Sequence, residues 1–368
     1  MGGHALSLTS VRLPAARYRV VERAVLARLA KALPGRRIEA VMAYAAKADF
    51  GDLDILIEGG AEAKAEAGAG AVYNVQQTAN ALQACEVVEN GDVTSIGIQI
   101  DEGIFQVDLI QTPAASFDFA VRYFGFNDMG NLLGRVAHKF GAKFGHLGLL
   151  YPIRDAQNSF HLLAEVPITS DFGLALRLLG YDSARYESLR SSGGFQGLSD
   201  IFTYVVSSPY VNRDIYLLEN KSHKARIRDA KRPTYNAFLD WLAQQSAGSL
   251  PAYPGAEAGS PARETQQQAF LQAAFELCPP FKTRYQQTLA SHARKSALKQ
   301  RFNGERVAAV TGLSGKALGA LMASVRRSFA DEAAFEDFFL LAGDAEIEAC
   351  LLRHARAAEE PKHNMLPV

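Results

Sequence analysis

Cysteine is scarce in this chain. The three present, Cys85, Cys278 and Cys350, are odd in number, widely spaced and outside any Cys-X-X-Cys or Cys/His ligand pattern. That excludes a disulfide framework and a structural zinc site, and it leaves reduced, mostly buried thiols of the kind expected in the cytoplasm. An excess of either charge is also lacking, because 39 Lys and Arg balance 39 Asp and Glu. Any polynucleotide partner must therefore be held by local basic patches and not by a global field. No apolar run is long enough to span a bilayer, and Met1-Gly2-Gly3-His4-Ala5 has none of the basic-then-apolar character of a signal sequence, so a membrane partner is not expected. No fixed-period repeat is visible. What remains is 368 residues at 48% hydrophobic composition, enough for two or three globular domains.

Against this ordinary background, Gly51-Asp52-Leu53-Asp54-Ile55-Leu56-Ile57 stands out. In an extended strand, successive side chains point to opposite faces, so Asp52 and Asp54 share one face while Leu53 and Ile55 are buried on the other. A third carboxylate, Asp108, sits inside Ile104-Phe105-Gln106-Val107-Asp108-Leu109-Ile110. A lone acid in so apolar a strand is costly if it faces a core. If the two strands are neighbours, three carboxylates converge and repel one another until cations occupy the site. Oxygen-only ligands favour Mg2+ or Mn2+ over zinc. The chemistry that uses two such ions, about 4 Å apart, is phosphoryl or nucleotidyl transfer.

Around these acids the pattern alternates between helix and strand. Residues 15 to 33 recur apolar at helical spacing and end at Pro34-Gly35. A strand is expected from Ile38 to Tyr44, a loose Ala/Gly/Glu stretch from Gly59 to Gly70, and a helix from about Val72 to Gln83. Strands near 85–89, 93–100 and 104–111, separated by Asn90-Gly91-Asp92 and Asp101-Glu102-Gly103, form a meander. Beyond Pro113 the chain reads as chiefly helical: Asn127-Asp128 caps a helix to about Phe140, and Gly141 to Tyr151 is a turn region. A hairpin of 149–153 with 160–166 follows, then helices starting at Thr169-Ser170-Asp171, around Ile201 to Val206, and over Tyr235 to Leu242. Ser246 to Ala262, rich in Pro, Gly, Ser and Ala, marks a mobile connection. A helical segment then runs to about His354.

The segment Tyr123-Phe124-Gly125-Phe126-Asn127-Asp128-Met129-Gly130-Asn131-Leu132-Leu133-Gly134-Arg135 resembles the incoming-nucleotide segment of family X DNA polymerases, in the polymerase beta superfamily. Leu198-Ser199-Asp200-Ile201-Phe202-Thr203-Tyr204-Val205 is similar to the last helix of the same nucleotide-selecting subdomain. The resemblance implies an α+β fold, in which a small mixed-sheet nucleotidyltransferase palm is followed by largely helical subdomains. The palm would occupy residues 1–112, the nucleotide-selecting subdomain with a helical extension 113–245, a flexible linker 246–262 and a C-terminal helical domain 263–368. It further implies that Tyr123 and Phe124 flank the sugar, Asp128 lies against the base, Asn131 reaches the base edge and Arg135 contacts the templating side. Where that family carries a Gly-Ser pair, this chain has Ala43-Tyr44-Ala45-Ala46-Lys47, so Lys47 would bind the triphosphate instead.

A second likeness lies further on. Phe302-Asn303-Gly304-Glu305-Arg306-Val307 with Thr311-Gly312-Leu313-Ser314-Gly315-Lys316 is similar to a motif in the tail of tRNA nucleotidyltransferases, where Gly315 and Lys316 would meet a phosphate; a tight helix corner is the plainer reading. Lys221, Lys224, Arg226, Arg228, Lys231 and Arg232 crowd one segment, and Arg294 and Lys299 belong to another with Lys282, Arg284, Lys295, Arg301 and Arg306. Such clusters suit phosphate contacts, with Tyr235 and Tyr285 placed to stack on bases. The expected function is therefore divalent-metal-dependent transfer of a nucleotide from an NTP or dNTP to a DNA or RNA 3′ end, with Asp52, Asp54 and Asp108 holding two ions. Two alternatives stay open: the same chemistry on a tRNA, protein or small-molecule acceptor, and an inactive nucleic-acid-binding scaffold.

Overall fold

The computed structural model of the protein describes residues 5–59, 74–155, 161–246, 248–254 and 260–359. Contacts divide the chain into two compact units, Met1–Lys282 and Thr283–Val368.

Alternation of side chains organises the first part of the first unit. Strand β1 (Leu13–Pro14) leads into helix α1 (Ala15–Ala32), which buries Tyr18, Val21, Val25 and Leu29 along one stripe, the spacing that keeps one helical face on a core. Strands β2 (Ile38–Ala40), β3 (Asp49–Phe50) and β4 (Asp52–Glu58) follow, then helix α2 (Val75–Leu82) and the meander β5 (Ala84–Asn90), β6 (Val93–Ile100) and β7 (Gly103–Thr112). The sheet order is β2-β4-β7-β6-β5, with β4 and β7 parallel and every other pair antiparallel. Leu53, Ile55 and Ile57 of β4, with Val107 and Leu109 of β7, pack in one core with α1. The opposite face carries Leu56 and Ile110, covered by Phe117, Ala120 and Val121. The fold is thus α+β around a mixed sheet.

Two expectations along this stretch need correction. The strand expected to reach Tyr44 stops at Ala40, because the Met42 carbonyl accepts from the Phe126 amide at 2.7 Å and is drawn away from the sheet. The helix expected from Val72 begins at Val75, where the Asn74 side chain accepts from the Gln77 amide; the loose stretch before it falls in residues 60–73, outside the described ones.

Helix α3 (Phe117–Phe124) and helix α4 (Met129–Lys139) come next. The following stretch is not a turn region. Residues 143–145 form β8 (Lys143–Gly145), which turns at once into β9 (Gly148–Arg154), and β10 (Leu162–Thr169) completes a three-stranded antiparallel sheet. Phe144, Leu149 and Leu150 are buried there, an apolar demand that outweighs the glycine punctuation. Asp171 then caps helix α5 (Phe172–Leu178) by accepting from the Leu174 amide at 2.7 Å. Helices α6 (Ser183–Ser191), α7 (Leu198–Val205), α8 (His223–Ala230), α9 (Pro233–Gln244) and α10 (Pro261–Leu277) follow.

Part of the 246–262 connection is pinned. The Tyr253 amide donates to the Val211 carbonyl, the Tyr253 carbonyl accepts from Asn212 Nδ2 at 2.8 Å, and Lys139 Nζ lies 4.1 Å from the Tyr253 ring centroid. Helix α10 stacks Phe270 on Phe140 with ring centroids 5.0 Å apart. It therefore belongs to the first unit, and the division falls after Lys282, beyond residue 262.

Helix α11 (Pro279–Arg301) carries the boundary, and α12 (Gly304–Thr311), α13 (Gly315–Arg327), α14 (Glu332–Leu341) and α15 (Asp344–Glu359) complete the second unit. Its own core joins Phe302, Val307, Leu321, Val325, Phe335 and Phe339. Among the described residues no helix is long and apolar enough to cross a membrane.

Candidate active site

Parallel pairing sets β4 beside β7 with Asp54 opposite Asp108 and Asp52 opposite Gln106. Since alternate residues share a face, all three acids emerge on the side that carries Leu56 and Ile110. Helix α3 packs on the apolar end of that face through Phe117, Ala120 and Val121. One carboxylate oxygen from each of Asp52, Asp54 and Asp108 lies within 4.8 Å of the others. The convergence expected from sequence is present: three half-buried acids form a group that can hold a metal ion.

The electrostatics are those of crowded carboxylates drawn partly out of water. Burial first, then the neighbouring charges of Asp52 and Asp108, push the Asp54 carboxyl up to about 7, with Lys47 opposing. Burial also raises Asp108, against hydrogen bonds from Ser95 and Gln106 that favour its ionised form. Gln106 Nε2 lies 2.9 Å from each Asp108 oxygen, and Ser95 is the register partner of Asp108 on β6. These two donors fix the orientation of Asp108. Sequence reading passed over both, although Gln106 lies two residues before the acid and on its face.

From Asp52 and Asp54 a cleft of about 360 Å³ runs past Lys47 and Phe50 to Tyr123, Phe124, Asn131 and Arg232; Asp108 is not among its lining residues. Lys47 Nζ sits 4.5 Å from the Phe50 ring centroid; burial lowers its pKa, and the charges of Asp52 and Asp54 work against that fall. Tyr18 stacks on Phe50 with centroids 3.7 Å apart. Burial raises its phenol well above the ordinary range, so the hydroxyl stays protonated beside the carboxylates. Tyr123 and Phe124 are half-buried and face the cleft. Asn131 Nδ2 is buried and has no hydrogen-bond partner among the described residues, a deficit of about 1–3 kcal/mol that a ligand acceptor would relieve.

The far wall depends on an unusual turn. Phe126 and Asn127, between α3 and α4, both adopt left-handed backbone angles, φ of 61° and 60°. For a bulky residue such as Phe this conformation is rare and persists only where the surroundings enforce it. Here they do: Phe126 is buried edge-on against Phe195, with centroids 4.9 Å apart, and its amide is bound to Met42. The turn delivers Asn127, Asp128 and Asn131 to the cleft, but Asp128 makes no side-chain cap and pairs instead with Arg232.

Gly130 lets this corner close, because a Cβ there would lie 2.3 Å from the Tyr123 carbonyl oxygen and 2.8 Å from its ring. Gly130→Ala is therefore expected to cost about 1–3 kcal/mol, as overpacking does, and to displace Tyr123. Thermal unfolding of the variant checks it; an unchanged midpoint would show that the corner relaxes freely.

The other expected site residues scatter. Arg135 does not line the cleft, and its Nε donates to the Ile215 carbonyl at 3.0 Å. Lys221 has a buried side chain, bonded to the equally buried Asp229 at 2.6 Å and held over the Tyr235 ring, so it is a structural ion and not a nucleic-acid contact. Burial lowers its pKa to about 8. Arg228 binds Asp229 as well. Tyr235, fully buried with its hydroxyl donating to the Tyr216 carbonyl, is not a stacking platform. Lys224, Arg226 and Lys231 are exposed, and Arg232 turns into the cleft.

No family model and no curated protein matches the chain. The site therefore has to be read from its own geometry.

Within the second unit, Arg294 pairs with Glu336 at 2.6 Å and Asp337 at 2.7 Å. Lys299, Gly315 and Lys316 are exposed. Gly312, with φ of +72°, ends α12, and Gly315 opens α13, so the glycine motif forms a helix corner.

Proposed function

We propose that this chain is a divalent-metal-dependent nucleotidyltransferase of the polymerase beta type, moving a nucleotide from an NTP or dNTP to a DNA or RNA 3′ end with release of pyrophosphate. The observation that carries the reading is the meeting of Asp52, Asp54 and Asp108, within 4.8 Å, with the first two lining a cleft walled by a lysine, two aromatic rings and an unpaired amide. The donor set fits Mg2+ or Mn2+, being all oxygen and all carboxylate, and burial together with mutual repulsion, which raises the Asp54 and Asp108 carboxyls, is what a bound cation would offset.

Asp52 and Asp54 would hold both ions and Asp108 the one nearer the attacking hydroxyl. Bound there, the ions supply charge neutralisation and a more acidic 3′ hydroxyl. The protein's own contribution is positioning. Gln106 and Ser95 keep Asp108 aimed, Lys47 meets triphosphate oxygens, Tyr123 and Phe124 support the sugar, and Asn131 offers its free N–H. Lys47→Ala is expected to raise KM for the nucleotide about tenfold with a smaller change in kcat, as loss of one charge-assisted contact would. Steady-state kinetics check it, and an unaltered KM removes Lys47 from the site.

Incubation with each labelled nucleoside triphosphate, Mg2+ or Mn2+, and single-stranded, primed, tRNA, protein or small-molecule acceptors tests the whole reading; no transfer in any arm rejects it. The same chemistry on a smaller acceptor is the second reading, favoured by the buried pairing of Lys221 with Asp229, which removes one cation from the basic stretches.

A further inference from the structure

The sheet face that carries the three acids is crossed by a stretch of chain to which the transfer chemistry gives no part. Strand register places Asp52, Gln106, Gly97 and Glu86 in one row, on β4, β7, β6 and β5 in turn. Residues 5–8 follow that row. The Ala5 amide donates to Gln106 Oε1 at 3.0 Å, and the Ser7 and Leu8 amides donate to the two Glu86 carboxylate oxygens at 2.8 and 3.0 Å. Between these contacts the row has no side chain at Gly97, and Leu6 takes the space: a Cβ there would lie 3.1 Å from Leu6 Cδ1. Further on, the Val11 amide donates to the Ile104 carbonyl at 2.8 Å and ties the segment to the start of β7.

The end nearest the acids meets a side chain with one useful orientation. Gln106 is 2% exposed, and its Nε2 lies 2.9 Å from each Asp108 oxygen while Oε1 faces the Ala5 N–H. Turned about its terminal bond, the amide would set an oxygen against the carboxylate and an N–H against another N–H, both repulsive. The Ala5 donor therefore fixes which way round Gln106 stands. Without that donor a buried acceptor goes unpaired, and Gln106 gains by turning toward water, away from Asp108. At the other end the Leu8 and Ser7 amides hold the Glu86 carboxyl below its ordinary range, the mark of a charged anchor gripped by backbone.

We propose that residues 5–8 are a strap that positions the metal centre: anchored on Glu86 at the sheet edge, they hold Gln106, and through it Asp108, in the orientation that binds the ion. The inference rests on the metal-dependent reading of the three acids and adds to it a part of the chain that does not line the nucleotide cleft. Ala5, Gln106 and Glu86 are positioning residues, acting through Asp108. Partners that orient a metal ligand typically govern about 10–100-fold in metal affinity.

The test is Mn2+ binding to the full chain without nucleotide or acceptor, followed by the paramagnetic resonance of the free ion. Glu86→Ala, at the sheet edge and outside the trio, should weaken binding about tenfold, and Ala5→Pro, which deletes the donating N–H, by about as much. Glu86→Gln keeps one acceptor oxygen and should recover part of the loss. In an Asp108→Ala background neither change should weaken binding further, because the ligand on which the strap acts is gone; a segment that only steadied the sheet would cost the same in both backgrounds. Should Ala5→Pro fail to fold, Glu86→Ala alone decides. Equal Mn2+ binding by parent and variants, or a loss that persists undiminished with Asp108→Ala, overturns the strap and leaves the transferase proposal standing. A parent chain that binds no Mn2+ overturns both.

Discussion

Asp54→Asn is expected to lower nucleotide transfer by on the order of a thousandfold or more while leaving the protein folded. Asparagine keeps the shape of the side chain and removes the charge. The proposed chemistry is mostly charge neutralisation, for which the charge is what matters. Asp54 stands at the centre of the trio, opposite Asp108 across the β4–β7 pair and two residues from Asp52 on the same face, so its loss removes the ligand that would be shared. Asp108→Ala should fall to a similar residual rate, although there Ser95 and Gln106 lose their acceptor. Because the two substitutions act on one unit, the double variant should be little worse than either single one. Retained turnover in Asp54→Asn would remove the trio from the mechanism.

Much of this site was legible in the sequence, for a physical reason. Strand periodicity is rigid, so Asp52 and Asp54 had to share a face, and an acid at Asp108 in an apolar strand had to find polar company. The meander between them made β7 available as a neighbour of β4. What was not legible depends on long-range packing. Arg232 and Lys221 read alike as members of a basic run, yet one enters the cleft and the other is buried on Asp229; nothing local distinguishes them. The β8–β9 hairpin was hidden behind glycines that mark tight strand turns as readily as loops. The left-handed angle at Phe126 contradicts local preference and is imposed by Phe195 and Met42, as strained sites usually are.

The raised carboxyl of Asp54 also makes stability depend on pH and on metal. With a folded pKa of about 7 against an ordinary 3.8, the unfolded chain ionises first as pH rises. Between about pH 4 and 7 the folded state holds one proton more, so unfolding free energy falls with rising pH and levels off above 7. At about 1.4 kcal/mol per pH unit the loss is at most about 4 kcal/mol, and partial exposure reduces it. Burial of Asp108 acts with the same sign. Metal-free protein should therefore melt several degrees lower at pH 8 than at pH 5, relative to Asp54→Asn, in which this dependence is absent. Mn2+ or Mg2+ at pH 8 should restore the parent's midpoint, by about 2.7 kcal/mol when the ion is at a hundred times its Kd, and should shift Asp54→Asn far less. The comparison isolates the acidic cluster, since every titrating residue outside it is common to both proteins. A difference between parent and variant that stays constant from pH 5 to 8, with no response to either ion, would show that the three acids are neither crowded nor metal-seeking.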